Sequence, residues 1–428
     1  MIKKKVISII SAMFIIANGI AGCSNIESKE SAQKVVKVYQ MKVEINDPLQ
    51  KLAQKYEEET GVKVEVTSVG GGADYGAALK AEFSKGNDPD IFIIQGTGDY
   101  EMWKHKIADL SSEPWVNKAV SGTLDMVTID GKIYGMPAAT EGYGLIYNKE
   151  ILDKAGIDPS GIDTFDELKS AFETLDSKKA ELGIDNVVSY TTKETWVTGT
   201  HTFNVALAAQ DDPIKFTNDY IAGNADVVNN QQFKDWTNLV ELLCKYGGGK
   251  TLETIDYSNQ VGNFALGKTA FIQQGNWIAS DLNALGADFD MGIVPLCINN
   301  DPKISGCIHV GVPMYWTVNK DSTVSTEAKE FLNWMVESEE AQNASVNDMD
   351  MISAFTNNKV ESKNILNKAV SEYNINGKIR TWPVTIFPQG YTMNNIGPVF
   401  SKFLDTDMGE QAKADMLQQI QDVSKKDK

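Results

Sequence analysis

Glu141 and Asp99 are the carboxylates that an acid–base reading of this sequence can pair. Two such groups ~5–9 Å apart suffice to hydrolyse a glycosidic bond, although no sequence motif links them. The three histidines, His105, His201 and His309, are scattered, and none stands at metal-ligand spacing from a cysteine or carboxylate pair, so neither a metal nor a cofactor is expected. The run "GGGADYG" (70–76) lacks the Gly-Lys-Ser/Thr ending of a phosphate loop and the GxGxxG spacing, and reads as a tight turn into a helix. Eight tryptophans offer broad flat faces; Trp236 and Trp334 fall inside amphipathic patterns and read as packing. Trp196 and Trp382 fall in loops, where a ligand could reach them.

The elements that must position these residues begin with "VVKVYQM" (35–41), a β-rich run. A helix follows, with Pro48 in its first turn, Leu49, Leu52, Ala53 and Tyr56 at helical spacing, and Gly61 as its stop. "VKVEVTSV" (62–69) alternates as a strand and "DIFIIQG" (90–96) is a buried one. Strand, helix, strand, helix, strand predicts an open, mainly parallel α/β sheet, which binds ligands outside the carboxyl ends of its strands. That places Gln40–Glu44, Gly70–Tyr75 and Gln95–Tyr100 as candidate positions, with Glu44, Gln95 and Asp99 the polar side chains of interest. Further on, Thr164 and Glu167 form a capping box, helices are expected around 202–210 and 231–246, and "DFDMGIVPL" and "HVGVPMYWTVNK" each read as one strand. "STEAKEFLNWMVESEEAQ" reads as one long helix, and the rest is helical to Val423 apart from the aromatic loop "TWPVTIFPQGY".

The net charge of −18, from 58 acids and 40 bases, repels polyanions and excludes nucleic acid as a partner. At the amino terminus, Lys3, Lys4 and Lys5 precede an apolar run that ends at Ala21, Gly22 and Cys23, the pattern of an export signal. The run is too short to span ~30 Å of hydrocarbon comfortably. Its ending resembles the lipobox of bacterial lipoproteins, which implies a signal peptide over 1–22, lipid on Cys23 and a polar tether over 23–34. Cys244, Cys297 and Cys307 remain; the last two flank a turn-rich loop, which fits either a hairpin disulfide or two buried free thiols.

"DGKIYGMPAATEGYGLIYNKEILDKAGIDPSGIDTFDELKSA", "FALGKTAFIQQGNWI", "FDMGIVPL" and "STEAKEFLNWMVESEEAQ", in that order, resemble the extracellular solute-binding proteins of ABC sugar importers, the family of the maltose-binding protein. The resemblance implies an α/β fold of two lobes, a periplasmic-binding-protein fold with a hinge and a central ligand cleft that closes on its ligand. Lobe 1 is expected at 35–141 and 296–345, lobe 2 at 142–295 and 346–428. It implies a monomer that captures an oligosaccharide of malto- or raffinose type, passes it to ABC permease subunits and performs no chemistry itself, anchored to the outer face of the cell membrane. A surface glycoside hydrolase and a receptor for a non-sugar solute are the alternatives.

A sugar presents apolar C–H faces ringed by hydroxyls, so its site needs aromatic platforms and fixed polar groups. Trp277 and Trp382 match positions where the family carries stacking aromatics, and Glu141, in "P-x-x-x-E-x-x-x-L-I-Y-N-K", matches a hydroxyl-accepting glutamate. Asn276 stands beside Trp277 and Trp196 supplies a third aromatic. The Asp-Arg pair that such relatives carry after the third strand is absent from "QGTGDY". Truncating Trp277 is expected to cost binding with little loss of stability.

Overall fold

The computed structural model of the chain describes residues 33–71 and 73–425; the leader, Cys23 and the tether as far as residue 32 lie outside the described residues. From the amino-terminal side come β1 (Val35–Gln40), β2 (Lys63–Ser68), β3 (Ile91–Ile94), a hairpin of β4 (Thr128–Ile129) and β5 (Lys132–Ile133), and β6 (Met136–Pro137). Next are β7 (Glu141–Asn148), β8 (Asn186–Ser189), β9 (Thr269–Gly275), β10 (Met291–Val294) and β11 (Ile308–Gly311), then β12 (Tyr315–Val318) and β13 (Ile379–Arg380).

These strands make two main sheets. One has the order β2-β1-β3-β12-β6, with β1 parallel to both β2 and β3 and β12 antiparallel to β3. The other has the order β13-β11-β7-β9-β8, built around the long β7. One edge of β7 pairs with β11 over Glu141–Tyr143 and with β10 over Leu145–Asn148; β9 covers its other edge. Each sheet has its own apolar core, one centred on Phe92, Tyr315 and Phe331 and the other on Phe172, Phe203 and Phe271.

Local sequence accounts for most elements. The helix Asn46–Thr60 buries Leu49, Leu52, Ala53 and Tyr56 and ends at Gly61, whose φ of 75° lets its amide close on Glu57. Asn46 does not cap it; its side-chain oxygen accepts from Ser68 Oγ at 2.8 Å and joins the helix to β2. Thr164 caps the helix Phe165–Ser177, and Glu167 reaches back to the amide of Asp163 at 3.0 Å. Asp74 caps the helix Tyr75–Lys85 by accepting from the amide of Ala77, the tight turn expected there.

The chain crosses between the sheets three times: from Pro137 to Glu141, from Gly311 to Tyr315, and between Phe355 and Leu366. Two boundaries differ from expectation. Residues 296–311 belong with the second lobe rather than the first, because Leu296, Cys297, Ile298, Ile308 and Val310 join its core and His309 pairs with Tyr143. Residues 349–355 stay with the first lobe, where Met349 and Met351 are buried and Phe355 bridges to Ala119. "HVGVPMYWTVNK" is two strands in different sheets, since Pro313 between them has no amide hydrogen to give a ladder. The long helix is also two, Ser325–Glu337 and Glu339–Asn343, broken at Ser338, which turns extended and caps the second. Cys244, Cys297 and Cys307 are free thiols; Cys297 Sγ lies 3.3 Å from the carbonyl of Ser305.

In the second core, Tyr143 is sandwiched between two imidazoles, with ring centroids 4.5 Å from His201 and 5.0 Å from His309. Burial pushes both histidines down to about 3, helped by His309 and Lys42 around the first and by Arg380 beside the second. A histidine with a depressed folded value stabilises fully above its ordinary 6.5 and loses that contribution as pH falls, because the unfolded chain takes up the proton first. Each histidine is therefore expected to cost about 2 kcal/mol of stability between pH 7 and pH 5. Urea melts at the two pH values test this, and His309→Gln should remove roughly half of that acid-dependent loss.

Candidate functional site

A cleft lies between the two sheets. The carboxyl ends of β1, β2 and β3 bring Lys42 and Glu44, then Gly70, Gly71, Ala73 and Asp74, and Gln95 to its first wall. The second lobe supplies Trp196, His201, Tyr257, Trp277 and Trp382, and Glu141 stands where β7 leaves the first crossing. Six of the expected residues, Glu44, Gln95, Glu141, Trp196, Trp277 and Trp382, thus line one space.

The first wall is organised by a buried glutamine. Gln40, the last residue of β1, accepts from the amide of Lys42 at 2.5 Å and donates to its carbonyl at 2.8 Å, folding the chain so that Lys42 turns inward. Lys42 Nζ lies 2.5 Å from Glu141 Oε1 and 2.8 Å from Glu44 Oε1, with only 8% of its side chain exposed. Burial alone would lower the ammonium's pKa, but the two carboxylates more than reverse this and hold it well above the ordinary lysine range. Burial raises Glu141, and Lys42 pulls it back. With Asp74 also on the rim, three acids and one ammonium line the cleft, and His201 stays neutral, a charge balance unfavourable to anions.

The opposite wall is aromatic. The Trp277 ring covers Gly275, where a Cβ would come within 2.1 Å of it; Nε1 donates to Gln274 at 3.0 Å, and Lys42 Nζ stands 6.0 Å from the ring centroid. Trp382 lies in the same way over Gly311, 2.9 Å from where a Cβ would be. Glu194 fixes two more rings, accepting from Trp196 Nε1 at 3.1 Å and from the amide of Tyr257 at 3.0 Å. Trp196 leads into a π-helical turn, Val197–Thr202, which presents His201 with its ring centroid 5.1 Å from both Trp196 and Trp277.

Asp99 and Asn276 are not brought to the cleft surface. Asp99, 2% exposed, accepts from the amides of Gln95 at 2.8 Å and Gln389 at 2.6 Å. Asn276, fully buried, accepts from the amide of Gly142 at 2.9 Å and donates to Asn367 at 2.7 Å. Their polar atoms are used on the protein's own chain, which removes them as ligand contacts and takes Asp99 out of any acid–base pair with Glu141. Trp103, Trp115, Trp236 and Trp316 are buried core residues. Sequence reasoning missed Lys42, Asp74, His201, Tyr257 and Gln389. Lys42 and Asp74 lay within stretches singled out as strand ends and Gln389 within the aromatic loop, whereas nothing local marks His201 or Tyr257. Among the described residues no His/Cys/Asp/Glu group suits a metal ion, and no helix is long and apolar enough to cross a membrane.

Comparison with known proteins agrees with this arrangement. The family model described as bacterial extracellular solute-binding protein matches residues 51–385. The melibiose/raffinose/stachyose-binding protein MelE of Bacillus subtilis (strain 168) is 26% identical over 330 residues, 73% of each chain. A carbohydrate ABC transporter substrate-binding protein of Streptococcus pneumoniae serotype 4 is 25% identical over 315 residues, 68% of this chain and 59% of that one. In fold, the chain is similar to RafE in complex with raffinose, with a TM-score of 0.75 at 18% identity over 91% of this chain and 98% of that one. With most of its length matched by the family model and its two lobes facing each other across a lined cleft, the chain belongs to the bacterial extracellular solute-binding proteins.

Proposed function

We propose that the cleft captures a neutral oligosaccharide, of the raffinose or malto type, and that the chain delivers it to the membrane permease of an ABC importer. The observation that carries this reading is the division of the cleft into an aromatic wall and a polar one. Indole and phenol faces cover the apolar C–H surface of a pyranose ring, while Glu44, Glu141, Lys42, Asp74 and Gln95 offer acceptors and donors to its hydroxyls. The excess of acids argues against uronic acids and phosphorylated sugars. The sugars named for MelE and RafE support a raffinose-type ligand over a monosaccharide.

Nothing in the cleft favours hydrolysis. Glu141 is committed to Lys42, and Asp99 bonds two backbone amides away from the lining. The cleft is complete within one chain, which suits a monomer. Lipid on Cys23 would hold that monomer at the outer face of the membrane, with a second acyl chain making the anchorage stable. Titration calorimetry against raffinose, stachyose, maltotriose and galacturonic acid tests the reading; heat with the acid alone, or with none of the four, overturns it.

Two substitutions separate binding from folding. Trp277 is 8% exposed and packed in the second core, so the expectation of little loss of stability on truncation gives way. Trp277→Ala should weaken raffinose binding at least tenfold, about 1.4 kcal/mol, and lower stability by about 3 kcal/mol. Lys42→Met leaves Glu141 buried without its counter-charge and should cost about 3 kcal/mol at pH 8. Because Glu141 is already raised by burial, that loss should shrink as pH falls and the carboxyl protonates. Denaturant melts of the variant at pH 8 and pH 5 check it.

A further inference from the structure

Asp99 is the buried acid that the binding reading does not use, and its two hydrogen bonds run to different lobes. Gln95, which donates to Oδ2 at 2.8 Å, follows β3 of the first lobe. Gln389, which donates to Oδ1 at 2.6 Å, sits at the tip of the loop Pro383–Gly390. That loop is anchored in the second lobe. The amide of Val384 donates to Asn204 Oδ1 at 3.1 Å, and Phe387 packs with Phe203, Tyr220 and Tyr391. It also carries cleft-lining side chains, Thr385 and Gln389 among them, and follows directly on Trp382.

The backbone on either side of this bond is shaped for the contact. A Cβ at Gly96 would stand 2.6 Å from the carbonyl oxygen of Thr385, and one at Gly98 would stand 2.4 Å from that of Ile386 and 2.4 Å from the carbonyl carbon of Phe387. At both positions the three nearest atoms belong to the second-lobe loop. Gly96 is extended, with φ 166°, and Gly98 is helical, so neither lies in the left-handed region that favours glycine. Their missing side chains therefore serve the approach of the other lobe and not a local turn.

We infer that Asp99, seated between Gly96 and Gly98 and the tip of the Pro383–Gly390 loop, is a clasp between the lobes: a positioning residue that holds the loop after Trp382 against the first lobe and so sets how far the cleft closes. The inference rests on the capture reading of the cleft. In the open arrangement Asp99 keeps Gln95 and gains water in place of Gln389. Closure buries the carboxylate, and that burial raises it to about 6 against two amide bonds and Lys80 that pull it down. Lys80 and Tyr75 act from the helix Tyr75–Lys85, while the loop Pro383–Gly390 has no titratable side chain. Glu101 lies on the same helix as Asp99, and Asp125 on the turn packed against that helix.

The sign of the linkage follows. If the open form has the ordinary value near 3.9, the closed form binds a proton more tightly, so closure is favoured as pH falls through the closed-state value and is insensitive above it. Between pH 7.5 and pH 5.5 the closed-to-open ratio should rise about fourfold.

The test is small-angle scattering of the unliganded chain at the two pH values, repeated with raffinose, on wild type, Asp99→Ala, Asp99→Asn and Gly98→Val, with Glu101→Gln as control. Asp99→Ala and Gly98→Val should increase the radius of gyration without ligand and weaken raffinose binding, with Gly98→Val close to wild type in melting temperature because its side chain meets only the other lobe. Asp99→Asn retains one acceptor and should close as well at pH 5.5 as at pH 7.5. Glu101→Gln should follow wild type. Unchanged radii in both Asp99→Ala and Gly98→Val overturn the clasp. Raffinose failing to bind the wild type would count against the capture reading alone, since the unliganded radii decide the clasp independently.

Discussion

An ammonium group taken largely out of water must find its counter-charges inside the protein, and Lys42 finds one from each side of the hinge. Glu44 lies two residues away on the same wall, and Glu141 opens the strand around which the second sheet is built. The desolvation cost of such a group is several kcal/mol, so the pair tolerates little misplacement of either partner. Gln40 fixes the turn that aims the lysine, and β7, paired along both edges, fixes the glutamate. The same ammonium approaches the Trp277 ring and helps keep His201 neutral. Packing, charge and cleft shape on both walls therefore refer to one buried cation.

The aromatic wall rests on a different economy of space. Trp277 and Trp382 each lie on a glycine, Gly275 at the end of β9 and Gly311 at the end of β11, and those strands flank β7 on opposite edges. A side chain at either position would lift an indole off the sheet into the cleft. The two rings consequently rest directly on the sheet, which keeps the entropy cost of ordering them out of the binding step. The polar wall is held by hydrogen bonds instead, so one wall offers fixed area and the other fixed direction.

Much of this was legible in the sequence because it depends on local pattern. The alternation of β2, the helical stripe of Leu49, Leu52, Ala53 and Tyr56, and the capping box of Thr164 and Glu167 each report their own geometry. Trp196 and Trp382, in loops, separate from the tryptophans in amphipathic stripes by the same logic, Trp277 came from the resemblance to the family, and the three meet at the cleft. What pattern does not carry is the identity of a distant partner. Lys42 in an acidic chain reads as one more solvated charge until Glu141, 99 residues away, is known to face it. The crossing at Pro313 was hidden because two short apolar strands in different sheets look like one interrupted strand. His201 is presented by a π-helical turn, for which the segment Val197–Thr202 has no sequence signature.

Asp99 and Asn276 expose the limit of arguing from strand ends. A polar side chain past the carboxyl end of a strand faces a region where ligand, hinge and opposite lobe converge, and all three present similar donors. Which of them it meets depends on unpaired backbone amides nearby, since a buried N–H without a partner costs more than a ligand hydroxyl left in water. Near Asp99 two such amides exist, those of Gln95 and Gln389, and near Asn276 there is that of Gly142. Gln95 keeps its side chain on the cleft because its own amide is satisfied otherwise, by Asp99, and Glu44 and Glu141 line the cleft beside it. The protein's own backbone thus has first claim on the polar residues at its strand ends, and the ligand site is made from those that remain.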